Sequence, residues 1–565
     1  MSASLDTGLD AFEGHDNRLN LGLSYSSSSG NVNQPAEYAY RKFLAFRGYG
    51  GPDCGVDVVA DPSSPSGMAL GPTGGSMAGQ GNCHFYNPFS NALQHSQQPG
   101  ARFVSEANPD FSPGLANAPE LIAWINEEVD VVSAADMVVF DATFTGSSGA
   151  AENYALGYQF RWFDVSADPN DAGNLNLNPC SVLGSSACLE RAGPFTFTTG
   201  VYPYDASQTV HRFFGELPLH VANDRLHMQL AANYEFYDVA SSFNPKVAIR
   251  YDITDQFALR GSLQTTFRTP SVDDLNEDRT TALAYVNEAG VYKAVDTYGS
   301  KDLEPEQALT YNAGFVLSVT DESGFVPVQF TADYWSYDFS DVIAVVPYNA
   351  ITRLYHEGGG ARDAIKGFVT CSDGRGTGTC DVTGIERIHV DLINWPGVKT
   401  SGLDFQLNAR AQAGEGIFNA GLEATYTNKY SIEAVNVGGV DIAADSEGAG
   451  RLNKYNPIAP PIPSLKGRLF GSYGWSDYSV VGYVNYISSY KDHDEEGSEA
   501  ENIDSFLTLD ATALWRPSRG FGISLSLLNL FDTPPPYVKW EQSFDGFTHS
   551  AKGRRIKLSA TYRVF

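Results

Sequence analysis

No stretch of this 565-residue sequence approaches the ~20 consecutive apolar residues that a membrane-crossing helix needs; pairs such as Leu527-Leu528 are cut off at once by Asn529. This excludes a helical span and leaves a spanning sheet open. The start of the chain also lacks a basic segment followed by an apolar run and a small-residue cleavage site, so the expectation is that a secretory leader has been removed or that the chain is a fragment. Positive charge is scarce: 37 Lys and Arg stand against 67 Asp and Glu, a net charge of −30. Nucleic-acid binding needs clustered bases and is not expected. The six cysteines include no Cys-x-x-Cys pair, and only His84 adjoins one, so no zinc spacing exists and no metal site is expected. The ten histidines are scattered, and there is no Gly-x-Ser-x-Gly elbow or Gly-x-x-x-x-Gly-Lys phosphate loop. No enzyme and no cofactor are expected.

What the sequence does contain is strict alternation of apolar and polar residues, repeated along the chain. In 226–236, Leu226, Met228, Leu230, Ala232, Tyr234 and Phe236 share one face, with His227, Gln229, Asn233 and Glu235 on the other. Segment 257–268 sets Phe257, Leu259, Leu263 and Phe267 against Arg260, Ser262, Gln264 and Arg268, and 403–411 repeats the pattern. So does the terminal run, with Ile556, Leu558, Ala560, Tyr562 and Val564 opposite Arg555, Lys557, Ser559 and Arg563. Each run is long enough to cross a bilayer when tilted. A soluble sandwich also alternates, but its strands are commonly shorter and its loops rarely reach tens of residues. Lipid offers no hydrogen-bond partner, so a spanning sheet must close on itself. The predicted fold is therefore all-β: a transmembrane antiparallel β-barrel of outer-membrane type.

Strands are expected near 18–25, 136–144, 153–163, 209–220, 226–236, 246–251, 256–267, 310–319, 328–337, 399–411, 416–428, 465–473, 478–488, 506–515, 521–528 and 554–564, about sixteen in all. Their connections alternate in length, as short inner turns and long outer loops should. Short links fall at 145–152, 221–225, 252–255, 320–327, 412–415, 474–477 and 516–520. Long extracellular loops are expected at about 26–135, 164–208, 269–309, 338–398, 430–464, 489–505 and 529–553. The brief link 237–245 is placed outside by parity, and the apolar run 385–393 is assigned to the outer loop containing it. An even number of strands follows. Each consecutive cysteine pair lies within one outer connection, where a local cross-link substitutes for a core and the compartment is oxidising. The expected disulfides are Cys54–Cys83, Cys180–Cys188 and Cys371–Cys380.

Several segments resemble the TonB-dependent receptor family. Thr266-Phe267-Arg268-Thr269-Pro270-Ser271-Val272-Asp273-Asp274-Leu275 is similar to its Phe-Arg-x-Pro-Ser-x-x-x-Leu strand-to-loop signature. Leu303-Glu304-Pro305-Glu306, before Tyr311-Asn312-Ala313-Gly314-Phe315, resembles its Leu-x-Pro-Glu segment. Val398-Lys399-Thr400-Ser401-Gly402-Leu403-Asp404 and Leu528-Asn529-Leu530-Phe531-Asp532 resemble two later family strands, and Tyr562-Arg563-Val564-Phe565 resembles the terminal aromatic signal read by the barrel-insertion machinery. The likeness covers roughly 210–565 well and the earlier part weakly, apart from a loop-like Tyr86-Asn87-Pro88-Phe89. It implies a 22-stranded barrel, of which about sixteen strands are present across 1–565. It also implies an N-terminal plug and a TonB-contacting segment, neither recognisable here, with the TonB–ExbB–ExbD complex as partner through that missing region.

By resemblance, the function is TonB-energised uptake of a scarce or bulky solute, whether siderophore, cobalamin, glycan or peptide, through the outer membrane. The alternative is a passive porin-type channel. Alternation makes Arg250, Arg260, Arg268, Arg410, Lys466 and Arg468 lumen-facing, with Lys246, Arg555, Lys557 and Arg563. Fewer acids face them, chiefly Glu235, Asp333, Asp404, Glu423 and Asp510, so the inner wall is expected to be comparatively basic. Tyr154, Tyr158, Trp162, Tyr486, Trp515 and Tyr562 sit on lipid-facing registers where an interfacial girdle belongs. Loop aromatics Tyr202, Tyr204, Tyr348, Tyr355 and Trp540 are the candidates for contact with substrate. The acidic run Asp492, Asp494, Glu495, Glu496, Glu499 and Glu501 reads as a solvated loop, with cation attraction as the rival. Asp273, Asp274, Asn276, Glu277 and Asp278 could offer calcium ligands but lack EF-hand spacing.

Overall fold

A computed structural model describes residues 2–8, 17–61, 67–95, 107–148, 151–188, 192–196, 198–221, 225–238, 240–277, 280–319, 328–454, 456, 458–492, 502–518, 520–538 and 542–563. Its dominant feature is one antiparallel meander in which each strand pairs with the next. The strands are β1 (Ser2–Gly8), β2 (Arg18–Glu37), β3 (Asn126–Ser148), β4 (Ala151–Pro169), β5 (Tyr204–Val221) and β6 (Leu226–Tyr237). Next come β7 (Ser241–Asp252), β8 (Phe257–Arg268), β9 (Glu306–Val319), β10 (Val328–Val345), β11 (Arg387–Ala413) and β12 (Gly416–Ile432). The last are β13 (Leu465–Trp475), β14 (Tyr478–Ile487), β15 (Phe506–Ser518), β16 (Phe521–Leu528) and β17 (Arg555–Tyr562).

All sixteen expected strands are present, and β1 precedes them, so the described set is odd rather than even. The expected boundaries fall short at the long-loop end. Strand β2 runs to Glu37, β3 begins at Asn126, β10 reaches Val345 and β11 begins at Arg387. The cause is physical. Alternation marks only the part of a strand in lipid, and a ladder that continues into water can be polar on both faces. The run 385–393 is therefore mostly strand, the outer extension of β11, pairing with β10 through Val342–Trp395 to Val345–Leu392. Short ends behave as parity requires. Residues 414–415 link Ala413 to Gly416, with Gly414 in the left-handed region at φ 60°. Residues 476–477 link Trp475 to Tyr478.

Burial is distributed inside out. Along the strands, Phe213, Ile249, Leu263, Tyr311, Leu469 and Leu507 stand on one continuous face and are exposed. Water would not tolerate such a belt, whereas lipid requires it. At the short-turn end this face carries a ladder of rings, Tyr473–Trp475, Trp475–Tyr478 and Tyr478–Trp515, with centroids 5.2, 5.7 and 6.4 Å apart. Such a ring belt marks a membrane interface.

The fully buried hydrophobics lie instead mostly in the long connections and the strand ends that continue into them, such as Ile388 and Trp395 of β11 and Ile432 of β12. The largest cluster joins Ile351, Leu354 and Tyr355 of helix α1 (Tyr348–Glu357) and Ile365 of α2 (Gly359–Ile365) to Val286, Val295, Ile385, Ile388 and Ile442. It encloses Cys371, and the Cys371–Cys380 bond staples its edge. A second cluster surrounds the Cys54–Cys83 bond. The third disulfide, Cys180–Cys188, also forms within one connection. At the two ends of the meander, no ladder among the described residues joins β1 to β17, and Ile556, Leu558 and Tyr562 of β17 are more than two-thirds exposed.

Candidate functional site

Where β8 leaves the sheet, Arg268 faces its register partner Glu306 at the start of β9 and donates to both carboxylate oxygens at 2.8 Å. Glu306 also accepts the Ile343 backbone N–H at 2.7 Å, tying β10 to the same point. A second carboxylate, Asp274, lies 3.5 Å from Arg268 and accepts the Ser271 N–H at 2.9 Å, while its own N–H donates to the Ser271 hydroxyl at 3.1 Å. The two sequence signatures around Arg268 and Glu306 are thus halves of one joint, a bidentate ion pair with a capped turn behind it.

Beyond this joint a cavity of about 310 Å³ opens between three outer segments. The 170–203 connection and the start of β5 supply Tyr202 and Tyr204, the connection after β8 supplies Asp273, Asp274 and Asn276, and the outer extension of β11 supplies Leu392. Burial, with the neighbouring Asp273 carboxylate, pushes the Tyr204 phenol up. Backbone bonds hold the walls: Gly299 N–H to Asn276 O at 2.9 Å, Ser300 N–H to Asp274 O at 2.9 Å and Val201 N–H to Gly173 O at 2.9 Å. A Cβ on Gly299 would stand 2.4 Å from two of those carbonyl oxygens, so only glycine fits there.

The polar face of the meander is a paired surface. Glu235, 7% exposed, receives Arg161 at 3.0 Å, lies 3.4 Å from Arg212 and accepts the Tyr237 hydroxyl at 2.7 Å. Arg260 donates through Nε to Asp333 at 2.7 Å, Arg250 pairs with Asp252 at 2.9 Å and Arg468 donates to Asn485 at 2.8 Å. Arg410 and Lys466 stand exposed on the registers of this face. Asp141, Glu216, Asp252 and Glu306, which the sequence reading did not count, share the face with the bases, so the excess of bases is smaller than the sequence reading gave.

Of the five aromatic candidates, Tyr202 and Tyr204 line the cavity, although Tyr204 is the first residue of a strand rather than part of a loop. Tyr355 must be withdrawn. It is fully buried, donates to the Cys380 carbonyl at 3.0 Å and forms the heart of the large outer core, so no ligand can reach it. Tyr348 begins α1 and packs against that core. Trp540 lies outside the described residues, as do Asp494 to Glu501 of the acidic run, Asp278 and the terminal pair Val564-Phe565. Glu277 is paired with Lys301 at 2.7 Å. Among the described residues no three His, Cys, Asp or Glu side chains come together in a way that could hold a metal.

Sequence reasoning missed a cluster joining the outer connections near the end of the chain. Tyr490, 2% exposed, donates to Asp545 at 2.7 Å and lies 3.0 Å from His549 Nε2. Asp545 is fully buried and accepts the Phe547 and Thr548 N–H groups at 2.9 and 3.2 Å. Burial pushes the Tyr490 phenol well up, reinforced by Asp545, and burial pushes the His549 imidazole down. Tyr490 is 55 residues from Asp545 in sequence, and no local motif reveals the cluster.

An antiparallel wall with an exposed apolar belt, short turns at one end and folded, stapled connections at the other is an outer-membrane β-barrel wall. The model of the TonB-dependent receptor-like β-barrel family matches residues 4–530, and the chain belongs to that family. Among solved structures, a mutant of the ferric enterobactin receptor PfeA from Pseudomonas aeruginosa is 11% identical, with 99% of this chain and 79% of that chain covered and a TM-score of 0.50. The copper transporter OprC is 12% identical, with 99% of this chain and 64% of that chain covered and a TM-score of 0.51. At such identities the likeness concerns the fold. No curated protein matches the sequence.

Proposed function

We propose that the chain forms the wall and outer binding layer of a receptor that takes up a scarce or bulky solute through the outer membrane, driven by the TonB–ExbB–ExbD complex. The observation that carries this reading is the folded outer layer. A passive pore needs only loops that stay out of the way, whereas here the long connections build their own hydrophobic core, three disulfides and a backbone-locked cavity. That investment suits selection of a solute before entry. Siderophores, cobalamin, glycans and peptides are the candidate classes; the two similar structures are a ferric enterobactin receptor and a copper transporter.

The same reading has the polar face lining the lumen, with Arg250, Arg260, Arg268, Arg410, Lys466 and Arg468 on it. It has the sheet close through strands beyond β1 and β17, toward the twenty-two the resemblance implies. The resemblance also implies a plug and a TonB-contacting segment in the working receptor. The β17 end is offered to the barrel-insertion machinery, and the apolar belt to outer-membrane lipid. The decisive experiment compares solute uptake in cells with and without TonB, and records ion conductance of the purified protein in a bilayer. TonB-dependent uptake with a closed bilayer record is expected; steady conductance and uptake indifferent to TonB would mean a passive channel instead.

A further inference from the structure

Resting on the uptake reading, we infer that the cavity between Tyr202, Tyr204 and Asp273 is a recognition site for an organic cation, an ammonium or guanidinium group carried by the solute. Three features of the cavity lead there. Its volume, about 310 Å³, suits a small organic group rather than a bare ion. Its lining sets two tyrosines beside two aspartates, and among the described residues it includes no lysine or arginine. Tyrosine faces and carboxylates together attract a weakly hydrated cation, through the ring quadrupole and through charge-assisted hydrogen bonds.

The local charge balance points the same way. Arg268, at the edge of the lining, is held bidentately by Glu306 and lies at 3.5 Å from Asp274, so one guanidinium is set against two carboxylates. Asp273 adds a third beside the neutral phenol of Tyr204. The site therefore carries a surplus of negative charge that a cationic guest would neutralise. The site is also formed before a guest arrives. The Gly299 and Ser300 N–H bonds to the 274–276 turn and the Val201 N–H bond to Gly173 fix both walls, so little ordering is needed on binding. The acidic excess of the chain, −30, would further concentrate cations near this surface at low salt.

The test uses outer-membrane preparations carrying the full chain and measures saturable binding of labelled choline and labelled agmatine, with labelled acetate as the anionic control. Choline or agmatine should bind saturably and acetate should not. Binding should weaken roughly tenfold in Asp273→Asn and in Tyr204→Leu. Heat-modifiable mobility on a gel would confirm that both variants are folded; if either is not, Tyr202→Leu takes its place with the same expected loss. Acetate binding in preference to the cations, no saturable cation binding, or cation binding unchanged by the folded variants would each overturn the inference. TonB dependence is read separately, as uptake by cells. Cation binding that depends on Asp273 without energised uptake keeps this site and removes the uptake reading. Energised uptake of a solute insensitive to Asp273→Asn does the reverse.

Discussion

His549 is a residue whose consequences can be read with their sign. Burial lowers its pKa below the ordinary 6.5, so between that depressed value and 6.5 the unfolded segment binds a proton that the folded one does not. The stability this histidine lends to the Tyr490–Asp545 cluster is therefore complete above about pH 6.5 and lost progressively as pH falls below it. Hydrogen exchange, corrected for its intrinsic pH dependence, should show the 542–553 segment losing protection between about pH 7 and pH 5.5, with the change flattened in His549→Phe. Equal protection at both pH values would sink the idea. None of this could be seen in the sequence, because Tyr490, Asp545 and His549 meet only when two outer connections fold together. The family signatures were legible, and the structure supplies their reasons. Arg268 and Glu306 are one ion pair. Gly402 lies where a Cβ would stand 2.3 Å from the Tyr426 carbonyl oxygen and 2.4 Å from the Trp335 indole. Asn529, at φ 50°, turns the chain out of β16 while donating its N–H to Asp510 at 2.7 Å.

Among the elements, the membrane-crossing strands were the easiest to read and the outer ones the hardest. Lipid on one side and polar groups on the other impose a period of two, which a sequence records directly. The outer segments answer to no such rule. The hairpin formed by Thr280–Val286 and Val291–Tyr298 pairs in parallel with β11 from Ala294–Arg387 to Tyr298–Asp391, and α1 and α2 pack on the result, so Tyr355 looked like a free loop aromatic. Asp296 and Arg387 anchor this assembly through a buried bidentate pair, with Thr281 donating to Asp296 at 2.7 Å. The Cys371–Cys380 bond closes its edge across a separation of 9 residues. Replacing both cysteines by serine should destabilise this outer unit by about 2–3 kcal/mol. Limited proteolysis should then cut the 346–386 connection faster, while the heat-modifiable mobility of the barrel stays unchanged; loss of both together would show that cap and wall fold as one unit.

For the whole molecule, the parity of turns and loops predicts an orientation. Gly439, in the exposed two-residue turn between Val435–Val437 and Val440–Ala443, should lie outside the cell, and Asp477, between Trp475 and Tyr478, should face the periplasm. A cysteine introduced at Gly439 should be labelled in intact cells by a membrane-impermeant maleimide, and one at Asp477 only after lysis; the opposite pattern would invert the fold in the membrane. Sixteen of the seventeen described strands of the meander, and their order, were legible because they depend on the bilayer, a uniform partner. The cavity was legible only in part: Tyr202 and Tyr204 stood among the loop aromatics, but its other walls come from connections distant in sequence. The inside-out burial has one more consequence. In that orientation the tightly packed nucleus around Tyr355 and Cys371 would project into the surroundings of the cell, and an antibody or a phage tail would meet a stiff, shaped epitope there. Short linear peptides copied from that region would be poor immunogens, and reductant would erase the epitope while the barrel beneath it remained intact.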